Sequence, residues 1–145
     1  MEPAFPALPS LPSWLLSQVA LYAGRSVADG FAAEGARGYH YRLLASLAEA
    51  GPSSQAELGR RSGIHLSDVV AALNELAADG YVRRSPDPAD KRRNVVTLTD
   101  AGRSRLDVLE ARVRAVQDEI LAPLDARERE QLTALLRRLL DHHAG

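Results

Sequence analysis

The chain has 145 residues, 26% of them charged, and a formal net charge of −1; that suits one domain, or one domain plus an assembly element, and argues against a uniformly basic nucleic-acid binder while leaving room for a local basic patch. It contains no cysteine, which excludes disulfides, thiolate metal sites, cysteine nucleophiles and thiol redox sensing. No apolar run approaches the ~18 residues that a bilayer span requires.

In chain order, residues 1–12 carry Pro3, Pro6, Pro9 and Pro12 at three-residue spacing, the mark of an extended or disordered arm. The first residues have no basic n-region and are not read as a signal peptide; the expected compartment is the cytoplasm. A helix capped by Ser13 is expected to run to about Glu34, with Trp14, Leu15, Val19, Tyr22 and Val27 recurring at helical spacing. Gly35 and Gly38 break it. A second helix, about Tyr39 to Ala50, places Leu43, Leu44 and Leu47 on one face, and Gly51-Pro52 stops it. Ser54 with Glu57 forms a capping box that opens a short helix, Gln55–Arg61. A tight turn through Gly63 leads into a helix from His65 to Ala78, whose buried stripe is expected to be Val69, Val70, Leu73 and Leu76. Two helices joined by such a turn are a helix-turn-helix pattern.

After Gly80 the hydrophobic period changes from 3.6 to 2. Tyr81–Arg84 and Asn94–Leu98 read as the strands of a hairpin. Between them, Pro86 and Pro88 are expected to prevent strand continuation and to stiffen a charged tip. Thr99 or Asp100 then caps a long helix in which Leu106, Leu109, Val113, Val116 and Ile120 form a heptad seam. Pro123 interrupts, Asp125 and Glu128 form a second capping box, and Leu132, Leu135, Leu136, Leu139 and Leu140 stripe the last helix.

The fold expected from this order is mainly α with a small β-hairpin wing: a winged helix-turn-helix over about residues 38–100, with dimerisation helices at 13–35 and 101–143. The physical dimensions suit duplex DNA, since a helix fits the major groove and an arginine-bearing hairpin tip can reach the adjacent minor groove. Seven basic residues, among them Arg83, Arg84, Lys91, Arg92 and Arg93, face three acidic ones between Tyr81 and Arg105. A charged turn in isolation is usually only a solvated turn; its place directly after a helix-turn-helix favours a DNA-facing wing.

Three blocks carry a family resemblance: Leu73-Asn74-Glu75-Leu76-Ala77-Ala78-Asp79-Gly80-Tyr81-Val82, then Asp87-Pro88-Ala89-Asp90-Lys91-Arg92-Arg93, then Val96-Thr97-Leu98-Thr99-Asp100-Ala101-Gly102. Over about residues 13–143 the sequence resembles the MarR-type transcriptional regulators. The resemblance implies a homodimeric, repressor-like regulator that binds pseudopalindromic double-stranded DNA and is released by a small aromatic or phenolic acid. It also implies that Arg92 enters the minor groove while Asp90 steadies it.

His65, where family members often carry Ser, Thr or Asp, is a departure and a poor expected cap. Asp68 then falls at the third helical position, where a carboxylate complements the helix dipole; facing a base, it would instead accept from cytosine N4. Ser67, Ala71 and Asn74 are the other outward candidates, and Leu66 is either outward or core. With Ser54, Gln55, Arg84, Asp90, Lys91, Arg92 and Arg93 these complete the candidate DNA-contacting set. The helix from His65 to Ala78 contains no lysine or arginine, so base readout through its own side chains is expected to be modest.

Trp14, Tyr22, Arg25 and His40 are the candidates for the effector pocket the resemblance implies, with ordinary core and dimer packing as the other reading. His142 and His143 point about 100° apart as helical neighbours, so no metal site and no cofactor is expected. No catalytic triad spacing, phosphate-binding glycine loop or His-Glu-x-x-His motif is present, so the chain is not expected to be an enzyme. The competing class is a winged-helix protein-interaction module, which would have no need of Arg92 and Arg93 beside Asp90.

Overall fold

The structure, a computed structural model, describes residues 7–145; Pro3 and Pro6 of the expected arm lie outside the described residues. The rest of that segment is not extended. Leu8–Ser10 form a 3-10 turn, and α1 spans Pro12–Ala33. The start differs from the expected Ser13 cap: Leu11 is the N-cap and Pro12 takes the first turn, where its missing N–H leaves nothing unsatisfied and its fixed φ is already helical.

The order then runs α2 (Gly38–Ala50), β1 (Ser53–Ser54), α3 (Gln55–Ser62), α4 (Leu66–Ala78), β2 (Val82–Pro86), β3 (Asn94–Leu98), α5 (Asp100–Ile120) and α6 (Ala126–Ala144). Two strand expectations need correction. The sheet has three strands, ordered β1-β3-β2 and antiparallel throughout, because Ser53 and Ser54 pair with Val96 and Val95. Pro86 does not end β2 early: it pairs with Asn94. β2 is an edge strand, where a missing N–H can face solvent.

The core lies where α2, α3 and α4 meet. Leu43, Leu44, Leu47, Leu58, Val69, Leu73 and Leu76 fill it, Val82 and Val96 close it from the sheet, and Phe31, Leu106 and Leu109 close it from α1 and α5. On α4 the buried stripe is Val69, Ala72, Leu73 and Leu76, and Val70 is only half-buried. Positions 69, 72, 73 and 76 follow the three-four spacing of one face, and residue 70 sits about 100° from residue 69. α4 ends in a Schellman motif: the N–H of Gly80 (φ +79°) donates to Ala77 C=O at 3.0 Å, and that of Tyr81 to Leu76 C=O at 2.9 Å.

Thr99 caps α5, its hydroxyl accepting the Gly102 N–H at 3.0 Å. The seam along α5 faces α1 and α2 of the same chain, with Leu106, Leu109 and Val116 buried and Val113 and Ile120 half-buried. The two long helices approach closely at Gly30, where a Cβ would lie 2.7 Å from Val116 Cγ2. α6 is different. None of its residues is buried, and among the described residues it packs extensively on no other element. Arg129 tethers its first turn, donating to Asp118 at 2.9 Å and to the Leu124 carbonyl at 3.0 Å.

Candidate nucleic-acid interface

The helix-turn-helix is set by local chemistry at each end of its turn. Ser54 Oγ accepts the Glu57 N–H and Glu57 Oε2 accepts the Ser54 N–H, both at 3.2 Å, so α3 starts where its capping box dictates. Gly63 (φ +66°) takes the left-handed conformation that ends α3. His65 then caps α4 after all: its Nδ1 accepts the Ser67 N–H at a long 3.4 Å and lies 3.0 Å from Ser67 Oγ. Asp68 occupies the first turn of α4, placed to complement the dipole.

The outward face of α4 carries Ser67, Asp68, Ala71 and Asn74, all exposed. Leu66, which the sequence leaves open between core and surface, is 53% exposed and outward. Asn74 is not free-standing. Its Oδ1 accepts a hydrogen bond of 2.7 Å from Arg84 on β2.

The wing tip is ordered by its own backbone and two aspartates. Asp87 N–H donates to Arg93 C=O at 2.8 Å, and Arg93 N–H to Asp90 C=O at 2.9 Å. Asp87 Oδ1 accepts the Ala89 N–H at 2.9 Å. Asp90 Oδ1 accepts the Arg92 N–H at 3.1 Å and lies 3.7 Å from Arg92 Nε. The Arg92 side chain is nevertheless 94% exposed, and Lys91 beside it is exposed. Arg93 leans back toward α3, 3.5 Å from Glu57 Oε1.

One open cleft joins these parts. Ser54 and Gln55 from the start of α3, Leu66 from the start of α4, and Arg92, Arg93 and Asn94 from the wing all line it. Ser54 has a different role from the rest: it is buried, and both its hydroxyl and its N–H are engaged by the capping box. Gln55 is half-buried on the cleft wall.

The four effector candidates do not converge. Trp14 is half-buried, Arg25 exposed and Tyr22 67% exposed, all on α1. His40 lies apart from them, on α2 and buried. Its Nδ1 accepts the Arg37 N–H at 3.3 Å, which makes its Nε2 the donor to Glu75 Oε2 at 3.0 Å. Burial, then the neighbouring Arg37 and Arg105 charges, hold the imidazole below its ordinary titration range against the opposing pull of Asp79. Within one chain His40 therefore serves as a cap and a tie to α4. Arg37 pairs with the same Glu75. Sequence reasoning misses both of these partners of α4, as it misses Glu57 beside Arg93. Separations of about 35 residues carry no local signal, and Glu57 is legible in the sequence only as a cap. His142 and His143 stack edge to face at 4.8 Å, and among the described residues no group of three or more His, Cys, Asp or Glu gathers as a metal site.

Residues 36–93 match the sequence model of the MarR family. The transcriptional repressor NicR of Pseudomonas putida is 35% identical over 98 residues, which is 68% of this chain and 62% of NicR. A probable transcriptional regulator of known structure from Pseudomonas aeruginosa is 33% identical, with a TM-score of 0.79 over 92% of this chain and 99% of that one. The chain belongs to the MarR family. A mutant MarR of E. coli solved with operator DNA superposes with a TM-score of 0.73 at 25% identity, covering 87% of this chain and 91% of that one. The chain spans less than two thirds of the length of NicR. For this MarR-family chain the matched segment holds α2, α3, α4, β2 and the wing tip.

Proposed function

We propose that this MarR-family chain is a homodimeric, sequence-specific transcriptional repressor that places α4 in the major groove of duplex DNA and Arg92 of the wing in the adjacent minor groove. The observation that carries the reading is the cleft that brings the first turns of α3 and α4 against Arg92 and Arg93. Helix and wing thus adjoin in one surface, with a cation fully presented at the tip. In this reading Ser67, Asp68, Ala71 and Asn74 face the bases or their edges, and Gln55, Lys91 and Arg93 contact the phosphate backbone. The relatives, a repressor and an operator complex, support the same role. Such a protein acts without catalysis, in the cytoplasm where bacterial DNA lies.

Release by a small aromatic or phenolic acid belongs to the proposal on the strength of the family resemblance. Trp14, Tyr22 and Arg25 remain candidates only for a site completed by a second chain, because they do not close a pocket within one. The test is selection of bound duplexes from a random-sequence pool, with footprinting of the selected sites. Two half-sites about one helical turn, ~10 base pairs, apart are expected. Failure to enrich any sequence would favour the protein-interaction module instead.

A further inference from the structure

The face of α4 offered to DNA holds no lysine and no arginine, yet a guanidinium stands on it. Arg84 reaches from the edge strand β2 to Asn74, NH1 to Oδ1 at 2.7 Å. Ser67, Ala71 and Asn74 succeed one another at spacings of four and three along the exposed stripe of α4, so the pair stands in line with the proposed base-facing residues.

The chemistry of this contact restricts what the pair can read. Arginine has only donors, so the amide atom it meets must be the acceptor oxygen, and the orientation of Asn74 is fixed without ambiguity. An asparagine that reads adenine does so bidentately, accepting from N6 with its oxygen while donating to N7. With Oδ1 held by Arg84, the outward atoms are the Asn74 NH2 and the remaining guanidinium N–H groups. The unit is dominated by donors: the Arg84 bond takes one of the two Oδ1 lone pairs, against two amide N–H and the free guanidinium N–H groups. In the major groove guanine alone presents two adjacent acceptors, O6 and N7, on one base; adenine sets its N6 donor next to N7, thymine has the single acceptor O4 beside its methyl, and cytosine presents a donor.

We propose that Arg84 and Asn74 form a composite guanine reader in each half-site. Arg84 supplies the donors from the wing strand, and Asn74 acts as the positioning residue that draws them onto a helix lacking any of its own. The inference rests on the DNA-binding reading above and specifies what that surface recognises.

The test uses the full chain and a duplex obtained from the random-sequence pool. Each half-site guanine is replaced in turn by 7-deazaguanine, which removes the N7 acceptor and leaves Watson–Crick pairing intact. One guanine per half-site is expected to show a loss of about tenfold with the unaltered protein, the scale of a good bidentate base contact. That sensitivity should vanish in Arg84→Ala and in Asn74→Ala, yet persist in Arg92→Ala, whose affinity falls for a different reason. Asn74 is exposed and Arg84 half-buried, so thermal melts of the two variants check that the fold is kept; Asn74→Ala serves alone if Arg84→Ala does not fold. If Arg84→Ala weakens all duplexes equally and leaves every 7-deazaguanine effect in place, the pair contacts phosphate and the reader is wrong. An adenine at the position that responds to Asn74→Ala overturns it as well. A failure of the unaltered protein to select any duplex would instead strike the DNA-binding proposal itself.

Discussion

Asp90 and Arg92 oppose each other in charge and cooperate in geometry. The carboxylate accepts the Arg92 amide at 3.1 Å and stands 3.7 Å from Nε, so it fixes the tip turn while leaving the guanidinium presented. Arg92→Ala should weaken duplex binding by about tenfold or more, the scale of a hydrogen bond to a charged group, with an unchanged melting temperature because the side chain buries nothing. Asp90→Ala should also weaken binding, although it removes a negative charge from the surface proposed to face phosphate. If Asp90→Ala binds every duplex more tightly in a titration, Asp90 is only a repulsive charge. His40 couples stability to pH. Its folded titration point lies below the ordinary value of 6.5, so the unfolded chain takes up a proton first as pH falls. Stability is then full above about pH 6.5 and declines with pH from that value down to the folded one. Protonation would also turn Nδ1 from the acceptor of the Arg37 N–H into a donor. Urea unfolding of the unaltered chain at about pH 7.5 and about pH 5.5, either side of the ordinary histidine value, should show this loss, and His40→Gln should flatten it; equal midpoints for the unaltered chain would refute the burial argument.

At the scale of elements, close approaches and caps decide where helices sit. A Cβ on Gly102 would lie 2.0 Å from the Tyr81 carbonyl oxygen and 2.7 Å from Leu98 Cδ1, and the first of these is backbone that cannot swing away. Gly102→Ala should cost about 2–3 kcal/mol despite the better helix propensity of alanine. Gly30→Ala meets the Val116 and Arg112 side chains, which can rotate, and should cost less. Denaturant melts order the two, and a Gly102→Ala variant as stable as the parent would refute the contact. The same contrast between local and tertiary causes explains what is legible in the sequence. The two capping boxes, the Gly63 and Gly80 turns and the α2 leucines are local patterns, and they fold as their residues dictate. β1 is invisible because two residues carry no periodicity, and Pro86 escapes the local rule because edge position is a property of the sheet, not of the segment. The wing arginines are readable from their charge. Arg84 on Asn74 and Glu75 on His40 are tertiary contacts across 10 and 35 residues, and no spacing rule announces them.

The whole molecule divides its charge and its apolar surface unevenly. Seven basic residues face three acidic ones between Tyr81 and Arg105, and eleven face sixteen elsewhere, so the wing region is positive on a chain of net charge −1. Duplex affinity should therefore fall steeply with salt, by about 10³-fold between roughly 50 and 200 mM for a dimer with several phosphate contacts per subunit; a flat profile in a fluorescence titration would point to a protein partner. The exposed apolar surface concentrates on α1 and α6. Leu135, Leu136, Leu139 and Leu140 are exposed on α6, and its inner face looks onto a groove completed by Leu15, Leu16 and Val19 of α1. A helix of 19 residues with none fully buried in its own chain gains stability from packing elsewhere, because isolated helices of this length are marginal in water, and an apolar patch this continuous marks an association surface. In the proposed dimer a second copy would satisfy both needs and supply the second half-site reader. Leu136→Glu with Leu139→Glu should therefore give a monomer in sedimentation, with the α2–α3–α4 core intact because neither residue belongs to it. Its duplex affinity should drop by about a hundredfold or more, since the two readers no longer share one encounter. A double variant that remains dimeric, or a monomer that binds the two-half-site duplex as tightly as the parent, would show that α6 serves some purpose other than pairing the readers.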